Sequence, residues 1–368
     1  MKMLNCDIYK FIDIVKNKNL ICFGSGKALN NFVNRYFDLT IENYISYIAD
    51  NDVNKIGTKK KLIQKEIPII SPSNIKDMDN VILLITCTDI EGILEQLSVY
   101  SELNNIWCFY YVFINSATNA KDDEKRYYPD SFKITSDPII PKKIHYCWFG
   151  NNPIPEKNLL WMESWKKYCP DYEIICWDES NYDITKNNYM YEAYKAKKWG
   201  FVPDYARLDI IYNYGGIYLD TDVELISSLD DLLYQCAFAG VDSTQLISLG
   251  LGFGAVKNCE IIGELLELYS SLLFKKSDGS LNIISAPKLQ KDFFATKGFN
   301  NNGTYQIVKD LTVYPEKVLS PKDNTTGIIL TTQHTKAIHH YDASWVSVER
   351  KRSIEYLHRL FSTIRDVE

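Results

Sequence analysis

The sequence lacks several patterns that would assign it to a familiar class. None of its nine cysteines forms a C-x-x-C pair, which excludes the common zinc-ribbon and thioredoxin-type motifs. No window approaches the roughly 18 consecutive apolar residues of a membrane-spanning helix, and the first residues contain no continuous apolar stretch of a secretory signal. The net charge of −6 argues against a general nucleic-acid binder. We therefore expect a cytoplasmic protein with reduced thiols that binds no nucleic acid.

The composition is that of a globular protein rich in aromatic residues. With 368 residues, of which 46% are hydrophobic, the chain is long enough for two domains. It contains 26 Tyr, 16 Phe and 7 Trp. Tyr and Trp combine an apolar ring with a polar group, which suits flat ligands such as sugars and bases, although most of these residues simply pack.

The first third of the sequence, residues 1–118, alternates short apolar strands with helical patterns, which predicts a parallel α/β unit. "NLICFGSG" ends a strand in a glycine turn, where Gly24 and Gly26 open a helix that could hold a phosphate. Asp50 ends the next strand, where a ribose-binding acid would lie. Because the third glycine of the dinucleotide fingerprint is missing, a scaffold domain without a ligand is the alternative. The unit resembles the Rossmann-like modules that precede some sugar-modifying enzymes.

Residues 119–138 are polar and charged, which predicts a linker. A second α/β domain then spans residues 139–346. Its segment "VPDYARLDIIYNYGGIYLDTDV" predicts a helix, a glycine pair as C-cap and a short strand. Asp204 and Arg207 share one face of that helix, and Asp220 and Asp222 share one face of the chain after the turn. Open α/β sheets bind ligands where these residues converge.

Two adjacent carboxylates repel each other unless a cation lies between them. A solvated strand end and a surface ion pair are the alternatives for these four residues. The rest of the domain favours a site, because the string resembles the D-x-D core of glycosyltransferase family 32, which includes sugar transferases of yeast and of bacterial polysaccharide synthesis. It is also similar to the catalytic core of the large clostridial glucosylating toxins. The resemblance extends to "IPKKIHYCWFG" and "AIHHYDASW", and covers roughly residues 139–346.

The resemblance implies a GT-A fold, a nucleotide-diphosphate-sugar donor, a divalent cation and transfer with retention of configuration. Asp222 corresponds to the direct metal ligand, and Asp220 to an acid that contacts the ribose or the metal through water. Mn²⁺ or Mg²⁺ would offset the charge of the departing diphosphate. Arg207 corresponds to an arginine near the sugar and phosphates. Asp204 corresponds to an acid that accepts hydrogen bonds from sugar hydroxyl groups.

The same resemblance implies further donor contacts. Trp148 corresponds to an aromatic residue that stacks on the base, and Tyr218 would pack near the nucleotide; a core position is the alternative for both. The late motif supplies a histidine ligand, His339 by preference or else His340. Ser344 and Trp345 correspond to a loop that closes over the diphosphate and excludes water.

The acceptor side is less defined. Asp242 and Gln245 lie where an acceptor-side loop is expected, and the sequence does not choose between a covalent intermediate and a front-face mechanism. The tail, residues 347–368, predicts an amphipathic basic helix. One reading is peripheral contact with an anionic membrane, and the other is docking on the catalytic domain.

The sequence thus predicts a metal-dependent retaining glycosyltransferase that uses a nucleotide-diphosphate sugar, with UDP favoured through Trp148. The expected acceptor is an oligosaccharide or a lipid-linked glycan in bacterial capsule, exopolysaccharide or lipopolysaccharide synthesis, at the inner face of the membrane. An effector-type transferase acting on proteins and a non-catalytic nucleotide-sugar-binding module are the alternatives. A hydride-transferring enzyme centred on Gly24 and Gly26 is more remote.

Overall fold

The computed structural model describes residues 1–123, 128–342 and 348–367. The strands, in chain order, are β1 (Lys2–Asn5), β2 (Asn19–Phe23), β3 (Ile45–Ala49), β4 (Lys59–Lys61), β5 (Glu66–Ile70), β6 (Val81–Ile85), β7 (Trp107–Tyr110), β8 (Lys143–Cys147), β9 (Glu173–Trp177), β10 (Gly216–Tyr218), β11 (Val223–Leu225), β12 (Ala237–Gly240), β13 (Phe253–Ala255), β14 (Gln306–Val308), β15 (Leu311–Tyr314), β16 (Ala337–His339) and β17 (Arg365–Asp366).

The helices lie between these strands. They are α1 (Ile8–Val15), α2 (Lys27–Arg35), α3 (Ile90–Ser98), α4 (Tyr111–Asp123), α5 (Glu156–Tyr168), α6 (Asn188–Lys195), α7 (Pro203–Tyr214), α8 (Glu260–Ser270), α9 (Ala286–Thr296), α10 (Glu316–Leu319) and α11 (Val348–Thr363). Short 3-10 helices cover Phe37–Leu39, Ile41–Tyr44, Pro72–Asp77, Ser101–Leu103, Trp199–Phe201, Asp230–Leu233 and Leu249–Leu251. Among the described residues, no helix combines the length and the apolar character that crossing a membrane requires.

The chain divides into two compact units. Unit 1 comprises Met1–Lys125 together with Arg352–Glu368, and unit 2 comprises Arg126–Lys351. Unit 1 contains a sheet of order β17-β1-β7-β6-β2-β3-β5-β4, in which β4 alone pairs antiparallel among the described strands. The central strand β6 is buried at every residue, as parallel strands covered on both faces are. The structure confirms the predicted Rossmann-like α/β fold of this unit.

The C-terminal helix packs within unit 1. Leu357 of α11 is buried beside the core of this unit, and the ring of Phe361 lies 5.0 Å from that of Phe113. After the helix, β17 pairs in parallel with β1, with Leu4 opposite Arg365. Of the two readings of the tail, this packing contradicts docking on the catalytic domain, and membrane contact stays a prediction. The predicted amphipathic helix is present, but an apolar face identifies no partner by itself.

The predicted linker also differs from the structure. Its first residues, 119–123, belong to α4, which ends at Asp123. Residues 128–138 are irregular but packed, because Phe132 is buried among the side chains of unit 2 and Ile134 donates its N–H to Tyr234 O. Two aromatic residues, Tyr128 and Phe132, in a polar stretch give too weak a pattern to reveal this packing.

Unit 2 is built on a mixed sheet of order β14-β15-β12-β13-β10-β8-β9. The strands β8, β9 and β10 are parallel, and β13 runs antiparallel between β10 and β12. Apolar clusters cover both faces of this sheet. A separate pair, β11 and β16, follows the D-x-D segment. This mixed sheet, with helices between its strands, confirms the α/β fold class that the sequence predicts.

Candidate functional site

A pair of glycines brings the first turn of α7 next to the residues that follow β10. Gly215 and Gly216 both have positive φ, 62° and 107°. A Cβ at Gly216 would lie 2.9 Å from Lys143 O and 3.0 Å from His145 Nε2, so a larger residue does not fit. The chain reverses immediately after the helix, and β10 therefore runs back along it. As a result the start of α7 and the end of β10 meet.

His145 holds this reversal in place. It is fully buried on β8, its Nε2 lies 3.0 Å from Gly215 O, and Trp177 donates its indole N–H to Nδ1 at 3.1 Å. Because Nδ1 accepts, the neutral ring carries its proton on Nε2 and donates it to the carbonyl. Burial lowers the pKa of His145 to about 4, so the ring stays neutral. The sequence analysis did not identify this residue, since a histidine within an apolar strand shows no distinctive spacing.

Arg207 lies between two carboxylates at the start of the site. Its Nη2 is 3.1 Å from Asp204 Oδ1 and its Nη1 is 3.6 Å from Asp220 Oδ1. The guanidinium also sits 5.0 Å from the centre of the Tyr218 ring. Burial raises the pKa of Asp204 to about 7, although Arg207 acts in the opposite direction. The pKa of Asp220 is raised by burial and by Asp222, against the effect of Arg207.

The second aspartate is held by the β11–β16 pair. Val223 lies opposite His339 in this ladder, which places His339 Nε2 3.3 Å from Asp222 Oδ1. Asp342 donates its N–H to Asp222 Oδ2 at 2.8 Å. The pKa of Asp222 is lowered: burial raises it, but His339 and this N–H lower it more. The carboxylate of Asp222 is therefore ionised throughout the physiological range.

Neighbouring residues of a strand point to opposite sides, and this alternation separates the two histidines. The Nε2 of His340 lies 2.8 Å from Glu224 Oε2, and its ring stacks on Trp161 with centroids 4.1 Å apart. His339 is thus the histidine beside the aspartates, which agrees with the preference from the sequence. His340 packs against α5 instead.

Asp220, Asp222 and His339 fit a divalent cation. One candidate ligand atom from each lies within 4.8 Å of the others. The Nδ1 atom of His339 is buried and makes no hydrogen bond with any residue in the described ranges. Two carboxylates and an imidazole form an oxygen-rich donor set of the kind that Mn²⁺ accepts and that offers Mg²⁺ its carboxylates. The residues present therefore match the metal that the resemblance implies.

Helix α5 fixes the D-x-D turn from the other side. The amide of Asn158 donates to Thr221 Oγ1 at 3.0 Å, between the two aspartates. Trp165 donates its indole N–H to Val223 O at 2.8 Å, and Ser164 Oγ accepts the N–H of Leu225 at the same distance. Trp165 and Ser164 thus satisfy backbone groups of β11 that its pairing with β16 leaves open.

Gly250 closes the site beside Asp220, and the sequence analysis missed it. A Cβ at this position would lie 2.4 Å from Asp220 Oδ2 and 3.0 Å from Arg207 Nη1. The stretch "SLGLGFGA" is rich in glycine, which was the available signal. Spacing alone does not indicate which glycine approaches another segment.

The predicted donor-binding residues lie in different settings. Trp148 is partly exposed directly after β8, and its indole N–H donates to Asn152 O at 2.5 Å. Tyr218 is only 1% exposed, so its ring packs in the core as the alternative reading expects. Ser344 and Trp345 lie outside the described residues. Base stacking by Trp148 and the closing loop stay predictions.

The acceptor-side candidates lie on the loop after β12. Burial raises the pKa of Asp242, and its Oδ1 accepts the N–H of Thr244 at 2.8 Å, which lowers it in part. Gln245 is buried, with φ of 65°, and its amide is 3.4 Å from Glu316 Oε2. Gln245 therefore holds the loop, while Asp242 remains a candidate.

In unit 1 the glycine turn serves the fold. A Cβ at Gly24 would lie 3.1 Å from Thr86 O, which accounts for glycine at this position. The carboxylate of Asp50 accepts the N–H groups of Ser25 and Asp52, both at 2.9 Å, and the Ser25 hydroxyl. Gly26 is the N-cap of α2 and provides no side-chain cap. Because Asp50 is engaged within the turn, these contacts favour the scaffold alternative over a nucleotide site.

Comparison with known proteins relates part of this chain to a described family. Residues 155–239 match the family model "Glycosyltransferase sugar-binding region containing DXD motif". Inositol phosphoceramide mannosyltransferase 3 of Schizosaccharomyces pombe is 34% identical over 140 residues, 37% of this chain and 39% of that protein. Mannosyl phosphorylinositol ceramide synthase CSH1 of Saccharomyces cerevisiae is 33% identical over 135 residues, 34% of this chain and 35% of that protein.

A Legionella protein and one solved structure are also similar. Subversion of eukaryotic traffic protein A of Legionella pneumophila is 27% identical over 122 residues, 26% of this chain and 19% of that protein. The solved structure of PaToxG Glycosyltransferase shares 18% identity with a TM-score of 0.36, over 50% of this chain and 75% of that chain.

The chain spans 39% or less of the length of these curated relatives. The family match covers Asp204, Arg207, Asp220 and Asp222, and ends before His339. The predicted resemblance to D-x-D glycosyltransferases is confirmed for the matched region.

Proposed function

We propose that unit 2 transfers a hexosyl group from a nucleotide-diphosphate sugar to an acceptor hydroxyl group, with the help of a divalent cation. The observation that carries this proposal is the cluster of Asp220, Asp222 and His339, whose candidate ligand atoms lie within 4.8 Å of one another beside Arg207. A cation bound there would offset the negative charge that develops on the departing diphosphate.

The residues of the cluster and its neighbours would have different roles in binding the cation and the sugar. Asp222 and His339 would hold the cation, and Asp220 would complete its environment while Arg207 fixes the direction of that carboxylate. Arg207 and Asp204 are buried against each other, so neither has to be ordered when substrate binds. In its ionised form, Asp204 would accept hydrogen bonds from hydroxyl groups of the sugar. We infer retention of configuration from the family resemblance.

The donor is the first question for experiment. Relatives named as mannosyltransferases support GDP-mannose as the first donor to test. UDP-glucose, UDP-galactose and UDP-N-acetylglucosamine follow, since stacking on Trp148 would tolerate either base. Mn²⁺ and Mg²⁺ both suit the donor atoms and are tested side by side.

For the acceptor, we propose a glycan or glycolipid hydroxyl group. The names of the yeast relatives support including an inositol-phosphate lipid, whereas capsule, exopolysaccharide and lipopolysaccharide acceptors rest on the family resemblance. A protein acceptor is the second candidate, because one similar protein is a Legionella protein named for subversion of eukaryotic traffic. Cytoplasmic location and membrane contact stay predictions.

The test is a thermal-shift panel of these donors, each with and without Mn²⁺ or Mg²⁺. It uses the wild type, Asp222→Asn and, as the matched control, Asp292→Asn on the exposed face of α9. We expect one donor to stabilise the wild type and the control only when metal is present. In Asp222→Asn the metal-dependent shift disappears, and release of nucleoside diphosphate falls roughly 100-fold or more.

A stabilisation that persists without metal and in Asp222→Asn contradicts the metal site. Metal-dependent donor binding with no nucleoside diphosphate released, in water or with any acceptor, would instead identify a binding module. The anomeric configuration of the product, read by NMR, tests retention.

A further inference from the structure

A second group of metal-ligating side chains lies in unit 2, away from the D-x-D segment. Cys236 directly precedes β12, Cys259 is the N-cap of α8, and Asp310 lies in the turn between β14 and β15. One ligand atom from each residue lies within 4.8 Å of the others. The sequence separates these residues widely and shows no zinc-binding spacing, so only the fold brings them together.

The contacts within this group are incomplete. Both thiols approach the same carboxylate oxygen, Asp310 Oδ2, with Sγ of Cys236 at 3.7 Å and Sγ of Cys259 at 3.3 Å. The other oxygen, Oδ1, is buried and makes no hydrogen bond with any residue of the described ranges. A buried acceptor without a partner costs about 1 to 3 kcal/mol. A cation at this point would contact both thiolates and the carboxylate.

The group occupies the end of the sheet opposite the proposed active site. Ala237 at the start of β12 and Gly216 at the start of β10 both pair with Ala255, and β12 and β10 run in the same direction. Asp220 follows the other end of β10. The two groups therefore cannot share one cation, and the second group is not part of the D-x-D site.

We propose that Cys236, Cys259 and Asp310 form a zinc site that ties together β12, α8 and the turn before β15. Two sulfur ligands select Zn²⁺ over Mn²⁺ and Mg²⁺, which prefer oxygen. A tetrahedral ion with Zn–S bonds of about 2.3 Å needs sulfurs about 3.8 Å apart, and the two Sγ atoms already lie within 4.8 Å of each other. Water is the fourth ligand, because Cys236 and Asp310 are only partly buried.

Binding requires both thiols to lose their protons, which pass to solvent while two Zn–S bonds form. Burial and the neighbouring Asp310 carboxylate raise the pKa of the Cys259 thiol in the metal-free site, so the thiolate forms only when the cation replaces the proton. The site would stabilise unit 2 without taking part in sugar transfer.

The test uses the full-length protein, purified with reductant and without chelator. Zinc content is measured in the wild type, Cys236→Ser, Asp310→Asn, Asp222→Asn and, as the matched thiol control, Cys176→Ser on β9. We expect about one zinc per chain in the wild type, in Cys176→Ser and in Asp222→Asn. Cys236→Ser and Asp310→Asn bind Zn²⁺ at least about tenfold more weakly, and added Zn²⁺ no longer raises their melting temperature.

Replacement of zinc by Co²⁺ provides a measurement that does not depend on how well a variant folds. Wild-type protein with Co²⁺ should show thiolate-to-cobalt charge-transfer absorption, a signature that the sulfur-free D-x-D cluster cannot produce. Absence of this absorption and of any zinc-dependent stabilisation in the wild type overturns the proposal. The thiols would then be ordinary buried donors to Asp310.

Discussion

Gly250 leaves the space in which the carboxylate of Asp220 sits. In Gly250→Ala the new methyl group would lie 2.4 Å from Asp220 Oδ2, so Asp220 must move away from Arg207 or from the cation position. We expect Mn²⁺ affinity to fall about tenfold, with a loss of unfolding free energy of about 1 to 3 kcal/mol at most. Titration with Mn²⁺, in which EPR reports the free ion, measures this affinity in the wild type and in the variant. An unchanged affinity would show that the position of Asp220 does not depend on the space left by Gly250.

His145 makes the stability of unit 2 sensitive to acid. Its pKa falls from the ordinary 6.5 to about 4 in the folded protein, so the unfolded chain takes up a proton first as pH falls. Stability from this group is complete above pH 6.5 and is lost between pH 6.5 and 4, to a total of about 3 kcal/mol.

Urea unfolding across this pH range should therefore show a steeper decline for the wild type than for His145→Gln, which cannot be protonated. Both proteins share all other titrating groups, so the difference between their slopes isolates His145. Equal slopes would show that the buried ring is protonated without cost.

At the scale of elements, substitutions in α11 test whether the apolar face of this helix packs in the core of unit 1. Leu357 is 8% exposed and packs with Phe361 against that core. Leu357→Ala should reduce the unfolding free energy of unit 1 by about 2 to 4 kcal/mol. Arg359→Ala, on the exposed side of the same helix, is the control and should change it little. If both variants behave alike, α11 is not part of the core, and its apolar face is available to a membrane as the sequence analysis considered.

The elements themselves were largely predictable, because their signals are local. Alternating apolar runs identified the parallel strands of unit 1, and the glycine pair after "IIYNY" identified the turn that joins α7 to β10. The meeting of Asp204, Arg207 and the D-x-D aspartates follows from this turn. His339 could be preferred over His340 from the family motif, and strand alternation explains the outcome.

Features that depend on distant segments were not predictable. The partner of α11, the approach of Gly250 to Asp220 and the convergence of Cys236, Cys259 and Asp310 all arise from packing between segments far apart in sequence. An amphipathic face or a single thiol carries no information about which segment it meets. The engagement of Asp50 by Ser25 is similar, since a ribose-binding acid and a loop-holding acid look the same in sequence.

For the molecule as a whole, the division into two units predicts which unit a bound ligand stabilises. Each unit has its own sheet and its own apolar clusters. A donor and metal bound at Asp220, Asp222 and His339, present at about 100 times the dissociation constant, should stabilise unit 2 by about 2.7 kcal/mol. Hydrogen exchange read peptide by peptide separates the two units. The slowest amides of β8 and β10 should exchange about 100-fold more slowly, while those of β2 and β6 stay unchanged.

Leu357→Ala serves as the reciprocal control, because it should accelerate exchange in β2 and β6 and leave β8 and β10 as they were. Equal protection of both sheets by the donor would mean that the units unfold together as one cooperative body. In that case unit 1 would contribute to the stability of the site as part of the same cooperative fold. The two outcomes therefore assign different roles to the N-terminal unit, an independent scaffold or a part of the catalytic fold.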